Sequence, residues 1–256
     1  MSGRKGNVFL TKVLPPIVPL VVAGVLAELL APKTGYSIVP TPSAVARAFA
    51  KETDLWRAMG QTAIASVAGF VMSAVVGIAF AIVLSSSRWV QRALYPYAVL
   101  FQTVPIIAIA PMLVIWIGFG MPTVIASAFI VSVFPVIANA VSGLLSTDPA
   151  LLDLFRLYGA GRITSLLKLR LPFALPSILT GLRIAAGLSV IGAIVGEFIT
   201  GGGLGSIIDA SRTQQRVDKV FAVLILASAL GIGLFGIVNV ISRLTLRHWH
   251  ASEKGE

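Results

Sequence analysis

Cysteine is absent from the 256 residues, which removes disulfides and thiolate metal sites from consideration. Charge is scarce: Asp, Glu, Lys and Arg make up 12% of the chain, with ten acidic residues and two histidines. The apolar runs therefore hold no His/Asp/Glu cluster suited to metal or acid-base catalysis, and a membrane enzyme is the less favoured class. His248-Trp249-His250 lacks a third ligand nearby and reads as an interfacial tail, so neither a metal nor a catalytic residue is assigned. No G-x-x-x-x-G-K-[ST] loop is present to cradle nucleotide phosphates. No inverted repeat is visible, which weakens the reading as a secondary transporter, the main mechanistic rival.

What is present in excess is apolar side chain. Hydrophobic residues are 57% of the sequence and the mean hydropathy is +0.94, outside the range of soluble globular domains. A spanning helix needs roughly 20 mostly apolar residues, so the chain suffices for about six transmembrane helices and one compact membrane domain. The net charge of +10 comes from short clusters between apolar runs. It forms no continuous basic face, which argues against nucleic acid as a partner.

The first run, Val13 to Ala31, follows Arg4, Lys5 and Lys12 and is expected to be an anchor helix; Leu29-Leu30-Ala31-Pro32 is a poor signal-peptide cleavage site. Val45 and Phe49 suggest a short interfacial helix in the external segment that follows. Residues 1–57 thus form an N-terminal anchor and external segment, 58–246 the membrane core and 247–256 a cytoplasmic tail. Further spans are expected at Thr62 to Leu84, Ala93 to Ile117, Thr123 to Leu145, Phe173 to Thr200 and Val220 to Leu246. Pro96, Pro105 and Pro111 should break the third of these, because each removes a backbone donor. Gly201 to Lys219 is expected to be an external loop. With this topology twelve Lys and Arg lie inside and seven outside, Arg183 being left in a span, so both termini are placed in the cytoplasm.

Residues 148–172 interrupt the apolar pattern. Ser146-Thr147-Asp148-Pro149 is a helix-start signal, and Gly159 can end the helix in the left-handed conformation. A second short helix is expected from Arg162 to Leu169. Leu151, Leu154, Phe155 and Tyr158 fall at helical spacing on one face, while Asp153, Arg156 and Arg162 supply charge. An interfacial helix lying in the lipid headgroups is one reading of this pattern.

The residues Asp153-Leu154-Phe155, three residues, Gly159, nine residues and Leu169-Arg170-Leu171-Pro172 carry a second reading. They resemble the EAA loop of membrane subunits of ATP-binding-cassette (ABC) importers, whose pattern is Glu-Ala-Ala, three residues, Gly, nine residues, Ile-x-Leu-Pro. Asp153 stands for Glu, Leu154 and Phe155 for the two Ala, and Leu169 for Ile; Ala160, Arg156 and Arg162 lie within the same loop. Pro40-Thr41-Pro42, Gln102-Thr103-Val104-Pro105 through Pro111, Trp116 to Gly120 and Gly203-Leu204-Gly205 are similar to the nitrate, sulfonate and taurine type of permease, whose relatives also carry bicarbonate, riboflavin or pyrimidine precursors. The resemblance implies an all-α membrane protein with the type I (MetI-like) ABC importer permease fold in a bacterial cytoplasmic membrane. It further implies a second permease copy, two cytoplasmic ATPases that bind ATP and Mg, and an extracytoplasmic solute-binding protein. No cofactor is implied on this chain.

Polar groups within or beside the spans are the pathway candidates. Arg183 and Glu197 are 14 residues apart, about 21 Å along a helix and too far to pair. Arg183 could snorkel to the headgroups or line the pathway, and Glu197 could serve an external gate or sit at the interface. Gln102 and Thr103, beside Pro105, and Asn139, in the fourth span, are either solute contacts or interhelical hydrogen-bonding groups. Glu28 is expected at the membrane interface. Gly192 and Gly196, four apart, permit close helix approach within or between subunits.

Overall fold

A computed structural model describes residues 14–30 and 40–246. The basic residues expected before the first span, Lys33, and the tail from Arg247 with His248, Trp249, His250 and Lys254 lie outside the described residues. Ten helices are described in chain order: α1 (Leu14–Leu30), α2 (Pro42–Lys51), α3 (Asp54–Ser85), α4 (Arg88–Thr103) and α5 (Ile106–Ile117) come first. They are followed by α6 (Met121–Leu145), α7 (Pro149–Leu157), α8 (Arg162–Thr200), α9 (Gly203–Thr213) and α10 (Val217–Leu246). Four of them, α3, α6, α8 and α10, are long and apolar enough to cross a membrane. The first expected span is the 17-residue α1, at the lower limit of about 17 residues for crossing.

The third expected span is divided. Val104 and Pro105 are extended, with ψ of 123° and 120°, and separate α4 from α5. Pro96 and Pro111 instead remain inside helices, contrary to the expectation that each would break the span. The difference lies in the preceding residue. Proline disfavours the helical conformation of its neighbour, and the β-branched Val104 adds its own χ1 restriction, whereas Tyr95 and Ala110 do not.

The second short helix expected in the polar loop does not end before Pro172. It continues into the fifth span as the 39-residue α8, about 58 Å long at the usual rise. A π turn at Leu166–Arg170, in which the Leu171 N–H bonds the Leu166 carbonyl, explains this continuity. The wider turn accommodates the Pro172 ring, which would collide with a carbonyl in a regular α turn.

Helix α6 lies between α3 and α8, and small residues allow the close approach. Added Cβ atoms on Gly192 and Gly196 would lie 2.7 Å and 3.0 Å from the Cα atoms of Ala128 and Val124. The small pair is therefore an intrasubunit contact. Ser73 and Ser132 hydroxyls add a 2.6 Å hydrogen bond between α3 and α6. In lipid the hydrophobic effect does not press helices together, so such van der Waals contact and hydrogen bonding hold the bundle.

Residues 201–219, expected to form a loop, instead contain α9, which packs on α3, α8 and α10. Gly201, Gly202 and Gly203 have φ of 78°, 81° and 60°, a sequence of left-handed residues that only glycine adopts at little cost. The turn brings the start of α9 onto Glu197, which is 2% exposed. Thr62 Oγ1 donates to its two carboxylate oxygens at 2.8 Å and 2.9 Å, and the Gly205 N–H donates at 2.8 Å. Gln61 Oε1 accepts from Gly203 N–H at 3.0 Å and Thr62 Oγ1 from Leu204 N–H at 2.9 Å. The free N–H groups of α9 thus find oxygen acceptors, and its positive dipole end faces the carboxylate.

Two substitution pairs test this packing. Gly192→Ala should lower the thermal midpoint of the purified protein, with an overpacking cost of about 1–3 kcal/mol, whereas Gly187→Ala, with nothing within 4 Å of the added Cβ, should not. Glu197→Ala should destabilise by about 1–3 kcal/mol for each buried donor left unpaired, and Glu197→Gln by less. Equal melting of the two alanine variants at glycine, or of the two variants at Glu197, would contradict the assignment.

Candidate functional site

The polar segment 148–161 projects from the end of the bundle where α3, α6 and α10 terminate. Asp148 caps α7 by accepting the Ala150 N–H at 2.8 Å, and Pro149 occupies the first turn, where no N–H partner is needed. At the other end Gly159 has φ 72°. Its N–H bonds the Arg156 carbonyl and that of Ala160 bonds the Phe155 carbonyl, both at 2.9 Å. This is the paired arrangement of a Schellman motif. A nine-residue helix is thereby held at both ends, although alone it would be too short to persist in water.

The expected apolar face is divided between two directions. Phe155 and Leu152 are half-buried toward the bundle, whereas Leu154, Leu157 and Tyr158 are 45%, 84% and 82% exposed. Leu157 carries no signal in the motif spacing and is recognisable only from this exposure. Asp153 and Arg156 form a 2.9 Å ion pair with both side chains more than 70% exposed, so it contributes little to stability. Ala160, Leu169, Leu171 and Pro172 are half-buried and Arg162 is exposed. The arrangement presents a short, pinned helix with an aromatic and aliphatic tip, a surface that marks a protein contact more often than a solvated face.

The pathway candidates do not converge. Gln102, Thr103 and Pro105 are exposed at the α4–α5 break, and Thr103 Oγ1 donates back to the Leu100 carbonyl at 3.1 Å. The Asn139 amide donates to the Pro135 carbonyl at 2.8 Å within α6. Arg183 is half-buried between α8 and α10, where its guanidinium donates to Ser242 Oγ; its Nε has no hydrogen-bond partner among the described residues. Glu197 is engaged in the α8–α9 corner, as described above.

The opposite end of the bundle is closed by contacts that sequence spacing does not reveal. Glu52 accepts from Arg216 at 2.7 Å and Lys219 at 2.8 Å, and these hydrogen bonds, Lys219 first, hold its carboxyl below the ordinary carboxylate range. Glu28 accepts from the Ser43 hydroxyl at 2.7 Å, tying α1 to the first turn of α2. Val45 and Ala48 of α2 are buried in a cluster with Leu55, Leu204 and Val223, so α2 packs on protein and does not merely lie on lipid. Among the described residues no three His, Asp or Glu side chains come together as metal ligands would.

The family described as binding-protein-dependent transport system inner membrane component matches residues 73–247. An ABC transporter permease protein of Haemophilus influenzae is 34% identical, over 85% of this chain and 91% of its own. The formylaminopyrimidine transport permease ThiX of Halalkalibacterium halodurans is 37% identical over 70% and 72%. A protein named as an aliphatic sulfonates transport permease, SsuC of Bacillus subtilis, is 27% identical over 99% and 92%. Among solved structures, an inward-facing MetNI methionine ABC transporter superimposes with a TM-score of 0.66 at 20% identity, over 74% of this chain and 95% of that one. The spans, the capped helix between them and this fold have one common explanation: the chain is a multi-pass membrane protein and belongs to the binding-protein-dependent transport system inner membrane components, the permease subunits of ABC importers.

Proposed function

We propose that two copies of this chain form the solute pathway of an ATP-driven importer and that α7 is the coupling helix, seated in a groove of each cytoplasmic ATPase. The observation that carries this reading is mechanical continuity. The exposed tip Leu154, Leu157 and Tyr158 sits on a helix fixed by Asp148 and Gly159, and only residues 158–161 separate that helix from α8, the 39-residue rod that ends at the Glu197 corner. Displacement of α7 by closure of the ATPase pair is then delivered across the bundle to the far end of α8. A rigid element with two arrangements is what such a transition requires.

In this reading ATP and Mg bind the partner ATPases, and an extracytoplasmic binding protein delivers the solute to the end closed by Glu52, Arg216 and Lys219. Both termini face the cytoplasm, and the chain resides in a bacterial cytoplasmic membrane. The coupling set is Asp153 to Arg156, Gly159, Ala160, Arg162, Leu169, Leu171 and Pro172. Gln102, Thr103 and Pro105, exposed at the break between α4 and α5, are placed on the pathway between the two copies. The transported solute is a small anion such as nitrate, a sulfonate or taurine, or a riboflavin- or pyrimidine-precursor-like compound. Relatives named for formylaminopyrimidine and for sulfonates support these two branches.

Gly159 offers the direct test, because an added Cβ there meets nothing of this chain within 4 Å and the effect of substitution on the subunit itself is conformational. A β-branched residue at positive φ costs roughly 1–2 kcal/mol, enough to displace the helix end. In proteoliposomes holding the permease, its ATPases and the binding protein, Gly159→Val should reduce uptake at least tenfold and abolish stimulation of ATP hydrolysis by loaded binding protein. Gly159→Asn, which tolerates the left-handed conformation, should retain most activity. Normal uptake and stimulation in the valine variant would refute the coupling role.

A further inference from the structure

Beneath α7, on the side away from its exposed tip, lies a cleft of about 510 Å³ bounded by the end of α3 and the start of α8. We infer that it binds the phosphate of an anionic phospholipid. Arg156, Arg162 and Arg170 line it together with Ser85. Of the three, only Arg156 has a carboxylate partner among the described residues, the exposed Asp153. Arg170 donates one N–H to the Ser85 carbonyl at 3.4 Å, which covers part of the negative end of α3 and leaves the rest of its fork available. Guanidinium forks match phosphate oxygens in geometry and charge.

The position of the cleft selects a lipid over a free anion. Both walls change character at this level: α3 passes from its apolar span to Ser85, Ser86 and Ser87, and α8 passes from Arg170 to Leu171, Pro172 and Phe173. This is the boundary where headgroups meet hydrocarbon. Trp89, 78% exposed at the start of α4, is the residue type enriched at that depth. The lining is also amphiphilic. Ile82, three residues on the hydrocarbon side of Ser85, joins the arginines, and Phe173, 40% exposed, follows Arg170 on the hydrocarbon side of α8. A phosphate ion would engage only the arginines, whereas a phospholipid engages Ile82 and Phe173 through its acyl chains as well. The cleft shares Arg156 and Arg162 with the proposed coupling set, but lipid binding is read in the chain without its ATPases, so failure of this inference and failure of the coupling role are distinguishable.

Native mass spectrometry of the full chain in detergent tests it, with phosphatidylglycerol and phosphatidylcholine of identical acyl chains and with inorganic phosphate. Phosphatidylglycerol should bind at least tenfold more tightly than phosphatidylcholine, and millimolar phosphate should not displace it. Arg162→Gln should weaken that preference severalfold and R162Q/R170Q should abolish it, with the far-ultraviolet spectrum unchanged for the single variant. Arg243→Gln, an exposed cation on α10, should have no effect. Equal binding of the two lipids, displacement by phosphate, an unchanged preference in Arg162→Gln or an equal loss in Arg243→Gln would each overturn the inference.

Discussion

The close crossing of α6 and α8 is the contact on which the remaining structure depends. At Gly192 and Gly196 the two backbones approach so nearly that one added carbon would strike Ala128 or Val124. In a solvent as apolar as the side chains themselves, helices gain little from hiding leucine, and intimate contact becomes the cohesive term. Once α8 is fixed against α6, its two ends are fixed as well: one carries the segment leading to α7, and the other carries Glu197.

Those two ends use different physics because their surroundings differ. At the Glu197 end a carboxyl group is nearly excluded from solvent, and hydrogen bonds from Thr62 and Gly205 offset part of the desolvation that burial imposes. The first turn of α9 has free N–H groups that need acceptors, so the carboxylate and the helix satisfy one another. At the α7 end water is available, and no buried charge is required. There the helix is held by local contacts, the Asp148 side-chain cap and the left-handed Gly159, with Leu152 and Phe155 half-buried on its inner face, which leaves its outer face open for a partner.

A good part of this was legible in the chain. The long apolar helices, the start of α7 at Asp148-Pro149 and its end at Gly159 follow from composition and from local backbone preference, and the family follows from motif spacing. Pro105 marked the break between α4 and α5 correctly, but Pro96 and Pro111 carry the same residue type and stay helical. Helical spacing also placed Phe155 with Tyr158, although Phe155 turns inward and Leu157 joins the exposed tip. A nine-residue helix spans few turns, and its inner face is set by what lies beneath it.

By itself, then, the sequence determined that the chain lives in a membrane, where its long helices fall, which segment between them is capped as a separate helix, and to which family it belongs. Each of these is written in neighbouring residues through hydropathy, helix periodicity and glycine or proline geometry. Only the tertiary structure decided that Gly201 to Lys219 contains a packed helix, that Gly192 and Gly196 serve contact within the subunit, and that Glu197 answers to Thr62, 135 residues away. It also paired Arg183 with Ser242 and Glu52 with Arg216 and Lys219. Partners of that kind are chosen by the crossing of helices distant in the chain, and local periodicity contains no term for that choice.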